Sequence, residues 1–88
     1  MKVIHTHENS YTLNFEQGEE VMQGILQFAK ERSIKAAHIT GLGAASRAEI
    51  AFYNLEKKEY ERREFAKDIE ILSLVGNIGV KKESEDVV

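Results

Sequence analysis

The sequence predicts an α+β domain, in which a mainly antiparallel sheet is covered on one face by a single helix. Apolar residues recur at three- and four-residue spacing in one segment only, over 19–32, and this spacing predicts an amphipathic helix. Alternating or short apolar runs occupy most of the remaining chain, and they predict two strands before the helix and four after it. One helix among sequential strands is typical of the α+β class.

The first half of the chain contains two predicted strands and the predicted helix. Residues 2–7 alternate loosely between apolar and polar side chains, and residues 11–15 alternate cleanly, so both segments predict strands. The helix follows over 19–32. Glu19 and Glu20 lie at its start, where acidic side chains suit the positive end of the helix dipole.

The second half of the chain is predicted to be strand throughout. The predicted strands cover 34–40, 48–53, 59–66 and 69–75. Gly41 and Gly43 lie between the first two of these, and we expect a tight corner there because glycine accepts positive backbone dihedrals. The Gly-Leu-Gly run superficially resembles a dinucleotide-binding loop, but that motif requires a helix where a strand is predicted here. The two glycines are therefore interpreted as a structural turn.

The last predicted strand is apolar on both faces. Strict alternation places Ile69, Ile71 and Val75 on one face. It places Leu72 and Leu74 on the other face. Since a single helix covers only one side of a sheet, we expect the second side to meet another subunit. These five residues form the predicted oligomer interface.

Composition limits the functions that the chain can have. Its 88 residues predict a single domain over 1–80, followed by a charged and mobile tail over 81–88. The absence of cysteine excludes disulfides and thiolate metal sites. No apolar run approaches the roughly 20 residues needed to cross a bilayer, and the N-terminus lacks a signal-peptide core, so we expect a cytoplasmic protein without membrane contact. A net charge of −3 argues against autonomous DNA binding, which normally requires a basic face.

Charged side chains are interleaved along the strand predicted over 59–66. Arg62 and Arg63 stand among glutamates in this segment. Oppositely charged neighbours across a hairpin contribute only about 0.2–1 kcal/mol and are common on solvated strands. We therefore expect surface ion pairs here rather than an anion clamp or a nucleic-acid patch.

The three histidines are the remaining candidates for chemistry. His5 and His7 share one face of a strand and can supply two metal ligands, but no spacing provides a convergent third, so we expect solvated surface residues. His38 is expected to be half-buried and satisfied, since no nucleophile accompanies it. No catalytic residue, cofactor or metal site is predicted within one chain. The alternative left open is a metal or small-molecule site that neighbouring subunits complete with these histidines.

The order of elements from residue 39 to residue 79 resembles the plant and prokaryote conserved (PPC) domain family. The resemblance lies in the Gly-Leu-Gly segment, the charged hairpin that follows, and the apolar run ending in Gly-Asn-Ile. It implies a one-helix architecture, a homotrimer, and a DNA-binding or transcription-associated role without an established catalytic duty. Many prokaryotic members continue with a His-x-His strand associated with metal binding. This sequence ends before that region, so no residue here is expected to inherit those ligand roles.

Plant members of the family carry a Gly-Arg-Phe-Glu-Ile-Leu segment that binds partners. The corresponding run here is Lys-Asp-Ile-Glu-Ile-Leu, in which Asp68 stands at the arginine position and reverses its charge. A plant-like partner contact is therefore not expected, and a chain without proline contains no AT-hook. The sequence as a whole predicts a non-enzymatic, oligomeric interaction module that acts on DNA through its assembly or through partners.

Overall fold

The computed structural model describes residues 1–82, 84 and 86–88, and it contains the predicted order of two strands, one helix and four strands. The elements are β1 (Lys2–His7), β2 (Ser10–Asn14), α1 (Val21–Glu31), β3 (Ala37–Ala45), β4 (Ala48–Asn54), β5 (Glu59–Phe65) and β6 (Ile69–Ile78). The strands pair as β1 with β2, β3 with β6, and β4 with β5. The chain divides into two compact units, and the single domain predicted over 1–80 stays a prediction. The first unit comprises Met1–Ile39 with Val75–Val88, and the second comprises Thr40–Leu74.

Strands β1 and β2 form an antiparallel hairpin in the first unit. Val3 lies opposite Leu13, and His5 lies opposite Thr12, so the register shifts at the intervening Ile4. Such a bulge places two residues of one strand against one residue of its partner and changes which side chains share a face. The bulge therefore explains why the alternation in the sequence of β1 is loose.

Helix α1 begins at Val21, two residues later than predicted, and Glu19 and Glu20 lie before its first turn. The carboxylate of Glu20 accepts a hydrogen bond from the amide of Gln23 and so caps the helix. The carboxylate of Glu19 accepts hydrogen bonds from the Met1 ammonium group and from the amide of Glu16, at 3.0 Å for the latter. The hydrogen bond from the ammonium group contributes most to lowering the pKa of Glu19.

The helix packs within the first unit through its buried end. The ring of Phe28 meets the ring of Tyr11 on β2 edge-on, with 5.2 Å between centroids. The guanidinium group of Arg32 lies over both rings, at 4.8 and 5.2 Å from their centroids. Cover of a whole sheet face by α1 stays a prediction. Within the described part of the chain, no helix has the length and apolarity needed to cross a membrane.

The core of the first unit is a small cluster at the end of α1 and β6. Ala29 is fully buried, and Ile78 and Val87 are buried beside it. Partly buried side chains pack around this cluster from Ile25, Leu26, Ile34, Ala37 and Ile39. The apolar stripe of the predicted helix therefore identifies one side of the core correctly.

The C-terminal segment 81–88 takes part in this core. Val87 forms a β-bridge with Val80 and is buried. The amides and carbonyls of Gly79 and Val88 exchange two hydrogen bonds, of 3.1 and 2.9 Å. Val87 supplies the apolar surface that this packing buries, whereas Val88 is exposed, and the tail predicted outside the domain stays a prediction. The mobility predicted for the segment stays a prediction, and residues 83 and 85 lie outside the described part.

The second unit contains the hairpin of β4 and β5. Its antiparallel register runs from Ala48 opposite Phe65 to Asn54 opposite Glu59 without a shift. The side chain of Asn54 accepts a hydrogen bond from the amide of Glu56, at 3.0 Å, at the start of the turn. The predicted hairpin thus forms where the sequence placed it.

The tight corner predicted at Gly41 and Gly43 is wrong, because both residues lie inside β3. The strand continues to Ala45, and the chain bends only at Ser46. Gly43 does have a positive φ, of 152°. A Cβ atom at Gly41 would lie 3.5 Å from Cδ2 of Leu74, an ordinary van der Waals distance, so packing does not require a glycine there.

Gly24 in the middle of α1 is expected to be required for packing. A Cβ atom at this position would lie 2.5 Å from Cε1 of Phe15, a half-buried ring. Alanine is better than glycine in a helix by about 1 kcal/mol, whereas overpacking costs about 1–3 kcal/mol. We expect Gly24→Ala to lower the free energy of unfolding by about 1 kcal/mol in urea denaturation.

The exposed Met22 on the same helix provides the control. Met22→Ala is expected to change the free energy of unfolding by less than about 0.5 kcal/mol. A gain in stability for Gly24→Ala would show that the ring of Phe15 moves aside without cost.

Candidate interaction surface

The five predicted interface residues on β6 differ in exposure. Ile69, Ile71 and Leu74 are half-buried, whereas Leu72 is 83% exposed and Val75 is 68% exposed. Leu72 and Leu74, which were predicted to share one face, therefore differ in exposure, and the division into two faces stays a prediction. The less exposed positions alternate from Ile69 to Ile71 and then from Leu74 to the end of the strand, so burial changes sides along it.

The second unit has no buried residue. All of its residues are described, and each is either half-buried or exposed. Its exposed large apolar side chains are Leu42, Ile50, Phe52, Tyr53, Leu55, Tyr60, Phe65 and Leu72. Since strands need a hydrophobic face packed against something to be stable, this unit presents surface that suits an interaction partner.

One face of the β4–β5 hairpin is polar and carries an ion pair. The guanidinium Nη1 of Arg62 lies 2.8 Å from the Oε1 atom of Glu49 on the neighbouring strand. Tyr53 and Tyr60 are opposite each other, with 5.2 Å between their ring centroids. The surface ion pair predicted for this hairpin is confirmed.

The other face is apolar, and we call it the hairpin's apolar face. It is formed by Ile50 (54% exposed), Phe52 (49%) and Phe65 (43%). These residues share one side because Ala48 pairs with Phe65 and alternate residues along β4 point the same way. Sequence reasoning missed this surface, although the spacing of Ile50 and Phe52 was a signal for it.

Three basic side chains at the hairpin, those of Arg47, Lys57 and Arg62, are paired with glutamates. The Nε atom of Arg47 lies 2.7 Å from Oε1 of Glu64. The ammonium group of Lys57 lies 3.8 Å from Oε1 of Glu61. A paired arginine or lysine has less positive potential to offer a phosphate, so this arrangement favours protein contacts over direct nucleic-acid contacts.

The histidines lie on open surface. His5 and His7 alternate along β1 on the side away from the half-buried Tyr11, as their spacing predicted. His38 is exposed, so the predicted half-buried position is wrong; the half-buried neighbours in β3 are Ala37 and Ile39. Among the residues that the structure describes, no three His, Cys, Asp or Glu side chains are grouped closely enough to hold a metal ion. The described residues of one chain therefore do not fit a metal site.

An open depression of about 390 Å³ lies in the first unit beside the start of α1. It is lined by Met1, Phe15, Glu19, Glu20, Gln23, Gly24 and Gln27. Its two carboxylates are already engaged, one by the Met1 ammonium group and one in capping α1. The depression thus offers little polar chemistry that the fold does not use.

Two solved structures are similar to the chain. One is a "putative dna binding protein" from Bacteroides thetaiotaomicron, which is 30% identical with a TM-score of 0.74, over 83% of this chain and 50% of that one. The other is a metal-containing protein from Archaeoglobus fulgidus, which is 38% identical with a TM-score of 0.77, over 97% of this chain and 61% of that one. The chain thus corresponds to between half and three fifths of the lengths of these proteins.

The curated proteins give no match to the chain. A family match, in contrast, extends over residues 4–88 and is to the Plants and Prokaryotes Conserved (PCC) domain. This is the family that the order of elements resembled in the sequence. The match covers nearly the whole chain, and the protein belongs to the PCC domain family.

Proposed function

We propose that the protein is a non-enzymatic interaction module of the PCC type that works as a homo-oligomer in the cytoplasm. The family resemblance favours a trimer. The observation that carries the proposal is the second unit, which exposes many large apolar side chains and buries none. In an 88-residue chain, association with other copies is an ordinary source of missing burial.

The arrangement of polar groups supports a role without catalysis. The carboxylates beside the depression serve as helix caps and ion-pair partners, and the histidines lie on open surface. Catalytic sites instead gather titratable groups in a cleft, where burial and neighbours shift their pKa values. We therefore assign no catalytic residue to this chain.

The proposed connection with DNA is through the assembly or through a partner. A similar protein described as DNA binding supports the connection itself. The net charge of −3 and the pairing of Arg47, Lys57 and Arg62 with glutamates argue against a strong direct contact.

The proposed subunit interface includes Ile69, Ile71, Leu72, Leu74 and Val75 on β6. Leu72 offers the clearest test, because its exposure means that a charge there has little effect on packing within the chain. We expect Leu72→Glu to raise the dissociation constant at least about tenfold, equivalent to about 1.4 kcal/mol, in sedimentation equilibrium.

The exposed Ser46, in the bend after β3 and outside β6, provides a matched control. Ser46→Glu adds the same charge without removing apolar surface, so its dissociation constant should remain within about threefold of the wild-type value. A wild-type protein that is folded and monomeric at micromolar concentration would contradict the oligomeric proposal. A dimer would retain the argument from burial and reject the trimer.

Direct DNA binding is expected to be weak for the isolated protein. Fluorescence anisotropy with a random-sequence duplex should give a dissociation constant no tighter than about 10⁻⁴–10⁻⁶ M at physiological salt, the range of non-specific binding. The double variant Glu49→Gln, Glu64→Gln removes the partners of Arg62 and Arg47 and should bind more tightly, with a steeper dependence on salt. Nanomolar, steeply salt-dependent binding by the wild-type protein would show that a basic surface exists.

A second candidate function is a metal-dependent or small-molecule-dependent activity at a subunit interface. The similar metal-containing protein from Archaeoglobus fulgidus favours it. His5 and His7 share the exposed side of β1, so each copy can offer two imidazoles, while a third ligand has to come from another chain.

Metal analysis separates the metal version of this candidate from the main proposal. We expect the purified protein to contain far less than one equivalent of zinc per chain by plasma mass spectrometry, because one chain does not group three ligands among its described residues. Stoichiometric zinc that disappears in the His5→Ala, His7→Ala double variant would favour the second candidate.

A further inference from the structure

The hairpin's apolar face lacks a cover within the second unit. There, β4 and β5 pair only with each other, and the second unit contains neither a helix nor a buried residue. An isolated two-stranded hairpin is marginally stable in water unless its apolar face is packed. The half-exposed rings of Phe52 and Phe65 therefore indicate that a further surface packs here.

Charged residues on the same side of the hairpin identify the kind of surface that fits. Alternation along β5 places Glu59, Glu61 and Arg63 on the side of Phe65. In the described residues Glu61 pairs with Lys57 and accepts a hydrogen bond from Asn54 at 3.1 Å, whereas Glu59 and Arg63 take part in no ion pair or side-chain hydrogen bond. The face thus has one unpaired carboxylate near the turn, that of Glu59, and an unpaired arginine beside its apolar centre.

This charge distribution is complementary to itself. Two such faces that pack in opposite directions bring Arg63 of one copy towards the end of the other that carries Glu59. A DNA duplex on this face would instead meet carboxylates beside the arginine. A second copy of this acidic chain, with its net charge of −3, supplies carboxylates that can pair with a lone arginine. The complementary surface is therefore present on the chain itself.

We infer that the hairpin's apolar face packs against a second copy of this chain, with Arg63 paired to a carboxylate of that copy. The inference rests on the proposed oligomeric function and adds a surface separate from the predicted one on β6. A standard interface buries about 800 Å² on each partner, more than three half-exposed side chains provide. The contact therefore extends to the exposed Leu55 at the hairpin tip.

Cysteine labelling tests the inference without a charge substitution. The chain has no cysteine, so Phe52→Cys and Ala51→Cys each introduce one thiol, on opposite faces of β4. Labelling is measured with a thiol reagent above and below the concentration at which the copies dissociate. We expect the Phe52→Cys thiol to react at least about tenfold more slowly in the assembly, and the Ala51→Cys thiol to change less than about twofold.

A pair of charge variants provides the second measurement. Ile50→Glu and Ala51→Glu both place a glutamate opposite an arginine, Arg63 or Arg62, so the hairpin gains a similar cross-strand pair in each. Only Ile50→Glu puts the charge on the apolar face. Its dissociation constant in sedimentation equilibrium should rise at least about tenfold, while that of Ala51→Glu stays within about threefold.

The outcomes distinguish this inference from the proposed function. A monomeric wild-type protein overturns both. An assembled protein whose two thiols react equally, or whose Phe52→Cys thiol is protected at every concentration, overturns the inference alone, because the face is then open or covered within the chain. Loss of assembly by Phe52→Cys but not by Ala51→Cys supports the inference, and loss by both overturns the assignment to one face. If Ile50→Glu fails to fold by circular dichroism, the labelling result decides.

Discussion

The packing of Ala29 with Ile78 and Val87 is the contact on which the rest of the structure depends. It brings the end of α1, the end of β6 and the C-terminal segment into one small core, with Ala29 fully buried. A chain of this length buries only about 60–65% of the surface that its unfolded form exposes. Apolar residues outside this core therefore remain in water unless another surface covers them, and the second unit is the part of the chain where this applies throughout.

Charge pairing on the hairpin has more consequence for function than for stability. Exposed ion pairs such as Arg62–Glu49 contribute about 0–1 kcal/mol. The same pairing removes the unbalanced positive charge that a phosphate backbone would attract. Arg63, in contrast, stands beside apolar side chains and has no partner in the described residues. Removing its guanidinium group from water at an interface would therefore cost more free energy than removing a paired one, unless a carboxylate pairs with it. The position of the charges therefore matters more than their number.

Local pattern predicted the elements of the fold well. The stripe over 19–32 identified α1, and the strand over 2–7 matches β1 to the residue, because helical and strand periods are properties of short segments. The bulge at Ile4 and the change of burial along β6 were not predictable in the same way. The bulge depends on how β1 registers with β2, and one residue of shift reverses every following side chain. The burial along β6 depends on what packs against each part of the strand.

The exposed apolar surface of the second unit was predicted only in part, because local pattern is visible in a sequence and strand register is not. The exposed Leu72 belongs to the predicted interface, since a run apolar on both faces is visible in the sequence. The hairpin's apolar face needs Phe65 beside Phe52, and only the register of β4 with β5 brings these two together. Gly41 shows the opposite error, because a glycine inside a strand looks the same in sequence as a glycine in a turn.

Association and DNA recognition place different demands on this chain. Assembly covers apolar surface, and each added copy supplies more of it for burial. Each added copy also brings a net charge of −3, so assembly alone increases the repulsion of a phosphate backbone. An assembled surface can overcome this only by gathering Arg63 and other basic groups on one side, but the inferred packing uses Arg63 inside the interface. Of the two routes to DNA that we propose, a partner with its own basic segment is therefore favoured over the assembled surface.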